Sequence, residues 1–136
     1  MKIITWNING YRSADKLGRV NELISRNKPD IICLQEIKMN NEIINNYNNN
    51  MFIFEEKAMI DKLLSKGLLD SFRVKVKEGN VYSWWPNRFN ARERNLGWRI
   101  DYIFISEILG KNIKNAKYLK EQYGSDHCPY ILELDI

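Results

Sequence analysis

Apolar positions fall into two regular spacings along the chain. Residues 2–6 alternate and predict a strand. Between Asp15 and Arg26, Leu17, Val20, Leu23 and Ile24 recur at helical spacing, and Pro29-Asp30 ends that helix. Ile31 to Leu34 is a short, wholly apolar strand. Strand, helix and strand within the first 35 residues predict a layered α/β domain. Farther on, residues 55–66 set Met59, Ile60, Leu63 and Leu64 on one helical face, with Gly67 as a C-cap. Val81–Trp85 predicts a strand, and Pro86–Leu96 a polar, basic loop. The strongest strand signal is Arg99–Ser106. A short helix near Glu107–Leu109, a strand near Lys114–Leu119 and an alternating strand at 130–136 complete the pattern. No segment repeats another.

One stretch fits neither period. Seven of the eleven residues from Asn40 to Asn50 are asparagine, which predicts a loop.

Composition adds bounds. A chain of 136 residues with 44% hydrophobic and 28% charged residues is one domain's worth of globular protein. No apolar run approaches the 18 or so residues of a membrane span, and the N-terminus lacks a signal-like pattern, which predicts no membrane partner and a cytoplasmic setting. Cys33 and Cys128 have no metal-ligand spacing and read as reduced structural thiols, Cys33 buried in its apolar run. The net charge of +4 is unevenly spread, because residues 73–117 hold ten Lys/Arg against four acids. That segment also carries Trp84, Trp85, Phe89 and Trp98. Cations neutralise phosphates and aromatic faces stack on bases or sugars, so the combination suits nucleic acid; a solvated basic face over core tryptophans is the plainer reading.

Candidate chemistry clusters at strand ends. Asn7 and Asn9 follow the first strand, Gln35 and Glu36 the second, and Ser125-Asp126-His127 precede the last, while Asp101 interrupts an apolar strand. Carboxylates and amide oxygens suit Mg²⁺ or Mn²⁺ better than zinc. A hard cation beside an imidazole is an apparatus for phosphodiester cleavage. Taken singly, each residue also has a structural use: turn formation before Gly10 for Asn7 and Asn9, a surface position for Glu36, pairing with Arg99 or Arg94 for Asp101, and a core position for His127.

The motifs go further. Ile4-Thr5-Trp6-Asn7-Ile8-Asn9-Gly10, Pro29 to Lys38 with its Leu34-Gln35-Glu36, Lys66 to Arg73, Tyr82 to Trp85, Asn90 to Tyr102 and Gly124-Ser125-Asp126-His127-Cys128-Pro129 stand in one order along the chain. In that order the sequence resembles the exonuclease III family of AP endonucleases, within the endonuclease/exonuclease/phosphatase superfamily. The resemblance implies a partial four-layer α/β sandwich, with two packed mixed sheets flanked by helices. It implies Mg²⁺-dependent hydrolysis of double-stranded DNA 5′ to an abasic site or from a 3′ end. By position, Glu36 would be the principal metal ligand, with Asn9 and Asp126 supporting the metal. Asn7 would line the phosphate site, and His127 would contact the scissile phosphate with its ring held by Asp101. Trp98, Trp84 and Ile100 would form an apolar pocket for a base-less sugar. Arg73, Arg92, Arg94 and Arg99 would meet DNA phosphates or hold their loop together.

The chain also departs from the family. Members are roughly twice as long, and their middle carries a Gly-Asp-x-Asn motif and a tyrosine; the motif is absent from this sequence and Tyr47 matches neither. Residues 1–136 therefore read as a single domain shortened internally at the junction near 40–52. The resemblance assigns water activation to that motif, and losing a positioned base costs about 10²–10⁴ in rate. A catalytically weak or inactive DNA-binding remnant is the alternative. Lost strands would also expose a sheet edge, a surface for pairing with a second copy.

Overall fold

The computed structural model describes residues 1–10, 14–36, 61 and 64–136. Strand β1 (Lys2–Asn7) is followed by helix α1 (Ala14–Asn27) and strand β2 (Ile31–Gln35). Strand β3 (Leu68–Asp70) runs directly into the short helix α2 (Ser71–Lys75). Strand β4 (Phe104–Ser106), a 3₁₀ helix (Glu107–Asn112), β5 (Ile113–Tyr118) and β6 (Tyr130–Leu134) complete the chain. One sheet has the order β2-β1-β6-β5, with β1 and β2 parallel and the other neighbours antiparallel; β3 and β4 form a second, antiparallel pair.

The central strands of the larger sheet are buried on both faces, whereas one face of β2 is exposed, and alternation along the strands decides what goes where. Ile4, Trp6 and Ile8 pack with Val20 and Leu23 of α1 and with Ile131. The alternate residues of β6, Tyr130, Leu132 and Leu134, join Ile113, Ala116 and Tyr118 against Phe72 and Ile105 of the second unit. The described residues therefore form three layers, with the larger sheet between α1 and the β3–β4/α2 unit, an α/β sandwich in partial form.

Local chemistry explains two elements that periodicity does not reveal. Asp70 caps α2, its carboxylate accepting from the backbone N–H of Phe72 and Arg73. Asp70 also holds Arg99 at 2.6 Å. The expected long strand at Arg99–Ser106 shrinks to Phe104–Ser106 for a definite reason. The N–H groups of Ile100 and Asp101 donate to the Ser83 hydroxyl, the Asp101 carbonyl accepts from the Tyr118 hydroxyl, and the Ile103 carbonyl accepts from the Ser71 hydroxyl. Side chains have taken the places of ladder partners. Val81–Trp85 is likewise no strand, only single bridges from Trp84 to Trp98 and to His127. The helix expected at 55–66 lies almost wholly outside the described residues. Gly67 does end its visible turn, with φ +81° and its N–H on the Leu64 carbonyl.

Two further side chains shape the fold. The Arg92 guanidinium lies between the rings of Trp85 (4.7 Å) and Tyr123 (4.4 Å). It donates to the carbonyls of Ser125, Lys120 and Gln122, tying the β5–β6 connection to the Trp85 segment. Cys33, expected in the core, is exposed on β2, because its side chain projects from the face opposite Ile32 and Leu34, which pack toward α1. Cys128 is fully buried, and burial pushes its thiol up to about 12.

Two outcomes test this architecture. Under native conditions a thiol reagent labels Cys33 and leaves Cys128 untouched, with both reacting in denaturant; rapid native labelling of Cys128 would show the larger core unformed. Arg92→Lys keeps the charge but loses the planar, multiply donating contact, and urea unfolding should show a loss of about 1.5–3 kcal/mol.

Candidate active site

The sheet register brings the polar strand ends together. Asn7 faces Gln35 where β1 and β2 finish in parallel, and Thr5 faces Tyr130 where β6 begins. Asn7, Asn9 and Glu36 therefore leave the same end of the sheet that Ser125, Asp126 and His127 enter. Such an end, outside the carboxyl termini of parallel strands, is where open α/β sheets place ligands. The backbone bends sharply there: Asn9 (φ 46°) and Glu36 (φ 51°) both occupy the left-handed region. The chain turns are locked to each other, with Gly10 N–H on the Glu36 carbonyl at 2.7 Å and Ile8 N–H on the Gln35 carbonyl at 3.2 Å. Two adjacent non-glycine residues in that region are the kind of strain that functional sites retain.

A continuous line of hydrogen bonds crosses the site. Asn7 Nδ2 donates to Glu36 Oε1 at 3.0 Å, and Asn9 N–H donates to Asn7 Oδ1 at 3.0 Å. Asn9 Nδ2 donates to Asp126 Oδ1 at 3.1 Å, and Trp84 Nε1 donates to Asp126 Oδ2 at 3.0 Å. The Ser125 hydroxyl closes the ring from below, donating to the Asn7 carbonyl at 2.7 Å and accepting from His127 N–H at 3.1 Å. Two asparagines thus link the two carboxylates. Burial pushes the Asp126 carboxyl up, but donation from Trp84 and Asn9 and the proximity of His127 outweigh it and hold it below the usual carboxylate range.

Beside this line, His127 Nδ1 lies 2.9 Å from Asp101 Oδ2 and 3.1 Å from Oδ1. The imidazole is buried, and the His127 carbonyl accepts from Trp6 Nε1 at 3.1 Å. Trp84 stacks on Trp98 with 5.3 Å between ring centroids, and Trp84 sits 6.4 Å from His127. Both tryptophans line a cleft of about 320 Å³ with Tyr82, Leu96 and Gly97. Gly97 is obligatory there, since a Cβ would come within 2.3 Å of the Trp84 carbonyl oxygen. Ile100 is not part of that lining; its N–H is bound to Ser83.

The arginines divide. Arg92 and Arg99 are committed internally, Arg99 to Asp70 and to the faces of Tyr102 (4.5 Å) and Phe72 (5.6 Å). Arg73 Nη1 donates to the Glu78 carbonyl at 2.6 Å, while Arg94 is exposed. Two serines that stand in the motifs have positioning roles with no signal in composition or spacing. Ser83, completely buried, holds Asp101, and Ser125 braces Asn7 to His127. Among the described residues no three His, Cys, Asp or Glu side chains converge on one point. The oxygen-bearing set Glu36, Asn7, Asn9 and Asp126 is instead of the kind a hard cation shares with water.

The depressed Asp126 carboxyl gives a signed expectation. Its contribution to stability is complete above the unfolded carboxylate value of about 3.9 and is lost as pH falls through the lower folded value. Acid unfolding followed by tryptophan fluorescence should therefore be less steep below about pH 4 in Asp126→Asn than in the wild type.

Residues 4–53 and 53–127 match the Endonuclease/Exonuclease/phosphatase family. The exodeoxyribonuclease of Bacillus subtilis (strain 168) is 40% identical over 120 residues, covering 83% of this chain and 47% of its own length. The DNA repair nuclease APEX1 of Danio rerio is 35% identical over 116 residues, covering 80% of this chain and 37% of its own. Among solved structures, the 3′-5′ exonuclease from Neisseria meningitidis superposes with a TM-score of 0.57 at 33% identity, over 61% of this chain and 34% of that one. The AP endonuclease from Leishmania major gives 0.56 at 34% identity, over 60% and 25%. The chain spans about half or less of the length of these relatives. With the matched residues running through every segment of the site, the chain belongs to the endonuclease/exonuclease/phosphatase family, on its exonuclease III and AP endonuclease branch.

Proposed function

We propose that the protein hydrolyses DNA phosphodiester bonds with a divalent cation, Mg²⁺ or Mn²⁺, on duplexes carrying an abasic site or a 3′ end. One observation carries this reading. The line Glu36–Asn7–Asn9–Asp126 and the Asp101–His127 pair meet at one end of the sheet, beside the Trp84–Trp98 stack.

Each group has a use in that chemistry. Glu36, with Asn9 and Asp126, would hold the cation, and their oxygen donors fit a hard ion. When bound, the cation offsets charge on the phosphoryl oxygens. Asn7 fixes the Glu36 carboxylate through its amide and lies next to where a phosphate would sit. His127, held at Nδ1 by Asp101, offers Nε2 to a phosphoryl or leaving oxygen. A base-less sugar presents no base edge to read, so the aromatic cleft selects it by shape and apolar contact. Arg94, which is exposed, would face a phosphate backbone, while Arg73, Arg92 and Arg99 would serve by bracing. The names of the relatives, an exodeoxyribonuclease and a DNA repair nuclease, support the substrate class.

A second reading rests on the sequence. It contains no Gly-Asp-x-Asn, so the groups that the resemblance assigns to water activation are missing, which favours a binding remnant with weak or no turnover.

A duplex with a single abasic site separates the two. Nicking in Mg²⁺ that stops with EDTA, and that falls about 10²–10⁴-fold in Glu36→Ala and in His127→Ala, is the expected result. Salt-sensitive binding without nicking establishes the remnant instead. Neither binding nor nicking overturns both.

A further inference from the structure

The buried hydroxyl of Ser83 fixes more than the position of Asp101. Ser83 is 0% exposed, and its backbone joins three segments, donating to the Trp98 carbonyl at 2.9 Å and accepting from Cys128 N–H at 2.8 Å. Its Oγ accepts from the N–H of Ile100 at 3.0 Å and from that of Asp101 at 3.1 Å, and donates to Asp101 Oδ2 at 2.6 Å. A hydroxyl has one proton and two lone pairs. Two backbone N–H groups, which can only donate, occupy both lone pairs. The remaining bond therefore has one possible direction, from Ser83 to Asp101.

That direction propagates. Oδ2 must act as an acceptor toward Ser83, and it is also the carboxylate oxygen nearer to His127 Nδ1, at 2.9 Å against 3.1 Å for Oδ1. A donated hydroxyl proton favours the ionised carboxylate, whose oxygens have only lone pairs to offer, so the proton of that bond lies on the imidazole. We propose that Ser83 is a positioning residue that sets the tautomer of His127: the backbone of residues 100–101 orients the hydroxyl, the hydroxyl orients Asp101, and Asp101 holds the ring proton on Nδ1. Nε2 is then the nitrogen whose lone pair is available. Ser83 touches the carboxylate, not the ring. The value of that tautomer to phosphodiester chemistry rests on the function proposed above, but the tautomer itself does not.

His127 is the single histidine of the chain, so its ring can be read without assignment. In ¹⁵N-labelled, metal-free and DNA-free protein, two-bond ¹H–¹⁵N correlations are recorded above the ordinary imidazole titration range. The wild type is expected in the Nδ1–H form. In Ser83→Ala the ratio of Nδ1–H to Nε2–H should fall about tenfold, the effect of losing one strong hydrogen bond. Ser83→Thr should restore it. Ser83→Cys, close to serine in size but a weak donor, should behave as alanine and serves if the alanine variant packs badly. The Trp6 indole signal, whose N–H is bound to the His127 carbonyl, reports whether the surrounding fold is intact. A wild-type ring protonated on Nε2 overturns the proposal. So does Ser83→Ala or Ser83→Cys retaining the Nδ1–H form with a native Trp6 signal, or Ser83→Thr losing it. Failure to nick DNA with the expected tautomers would refute the nuclease reading alone, and the wrong tautomer in a nicking protein would refute this inference alone.

Discussion

The pairing of β1 with both β2 and β6 is the constraint on which the rest of the molecule depends. Thr5 sits opposite Cys33 on one side and Tyr130 on the other, and this register brings Asn7, Glu36 and His127 to the same end of the sheet. Strand geometry allows no partial error: a slip of one residue would turn Ile4 and Trp6 away from α1 and reverse every side chain on β1. It would also separate Asn7 from Glu36, whose bond needs both strands to end level. The register is enforced from both faces. Ile4 and Trp6 bury against Val20 and Leu23, while the alternate residues of β6 bury against Phe72 and Ile105. Packing and site geometry are consequences of one alignment.

A second device substitutes for regular structure where the site needs irregular backbone. Residues 99–103 form no ladder, and polar groups of this stretch are met by Ser83, Ser71 and Tyr118. Burial raises the Tyr118 phenol far above its usual range, so it remains a donor to the Asp101 carbonyl. In this arrangement Asp101 Oδ2 lies 2.9 Å from His127 Nδ1. The arrangement leaves costs in place. Trp85 Nε1, Arg92 Nε and Arg99 Nη1 are buried without an acceptor among the described residues, at about 1–3 kcal/mol for such a group. The cation–π contacts of Arg92 and Arg99 offset part of that.

How much of this could be read from the chain depends on which interaction governs each residue. Strands β1, β2, β5 and β6 follow their own alternation or apolar runs, and α1 its own helical spacing, because burial against one neighbour is the dominant force on them. Arg99–Ser106 has the clearest strand signal and is mostly not a strand, since partners 17 to 32 residues away in sequence, in Ser83, Tyr118 and Ser71, compete for its backbone. Cys33 lies in an apolar run, yet only Ile32 and Leu34 of that run pack toward α1. The resemblance offers Arg92 and Arg99 either as phosphate contacts or as braces of their loop, and both are committed to internal partners. Their aromatic and carboxylate neighbours arrive from other segments, and no local pattern announces them. The residues of the candidate site were visible as motifs, while the bonds that orient them, above all those of Ser83 and Ser125, were not.

The short length of the chain bears unequally on these parts. Every residue of the hydrogen-bonded line lies in segments 1–10, 31–36, 83–101 and 118–130, and each of these segments is anchored to the larger sheet or to its two cores. Relatives of about twice the length superpose on more than half of this chain at TM-scores near 0.56. Among the described residues, the acidic line and the imidazole pair rest on packing supplied by the larger sheet and its two cores. Preorganisation of these side chains depends on the register of β1 with β2 and β6.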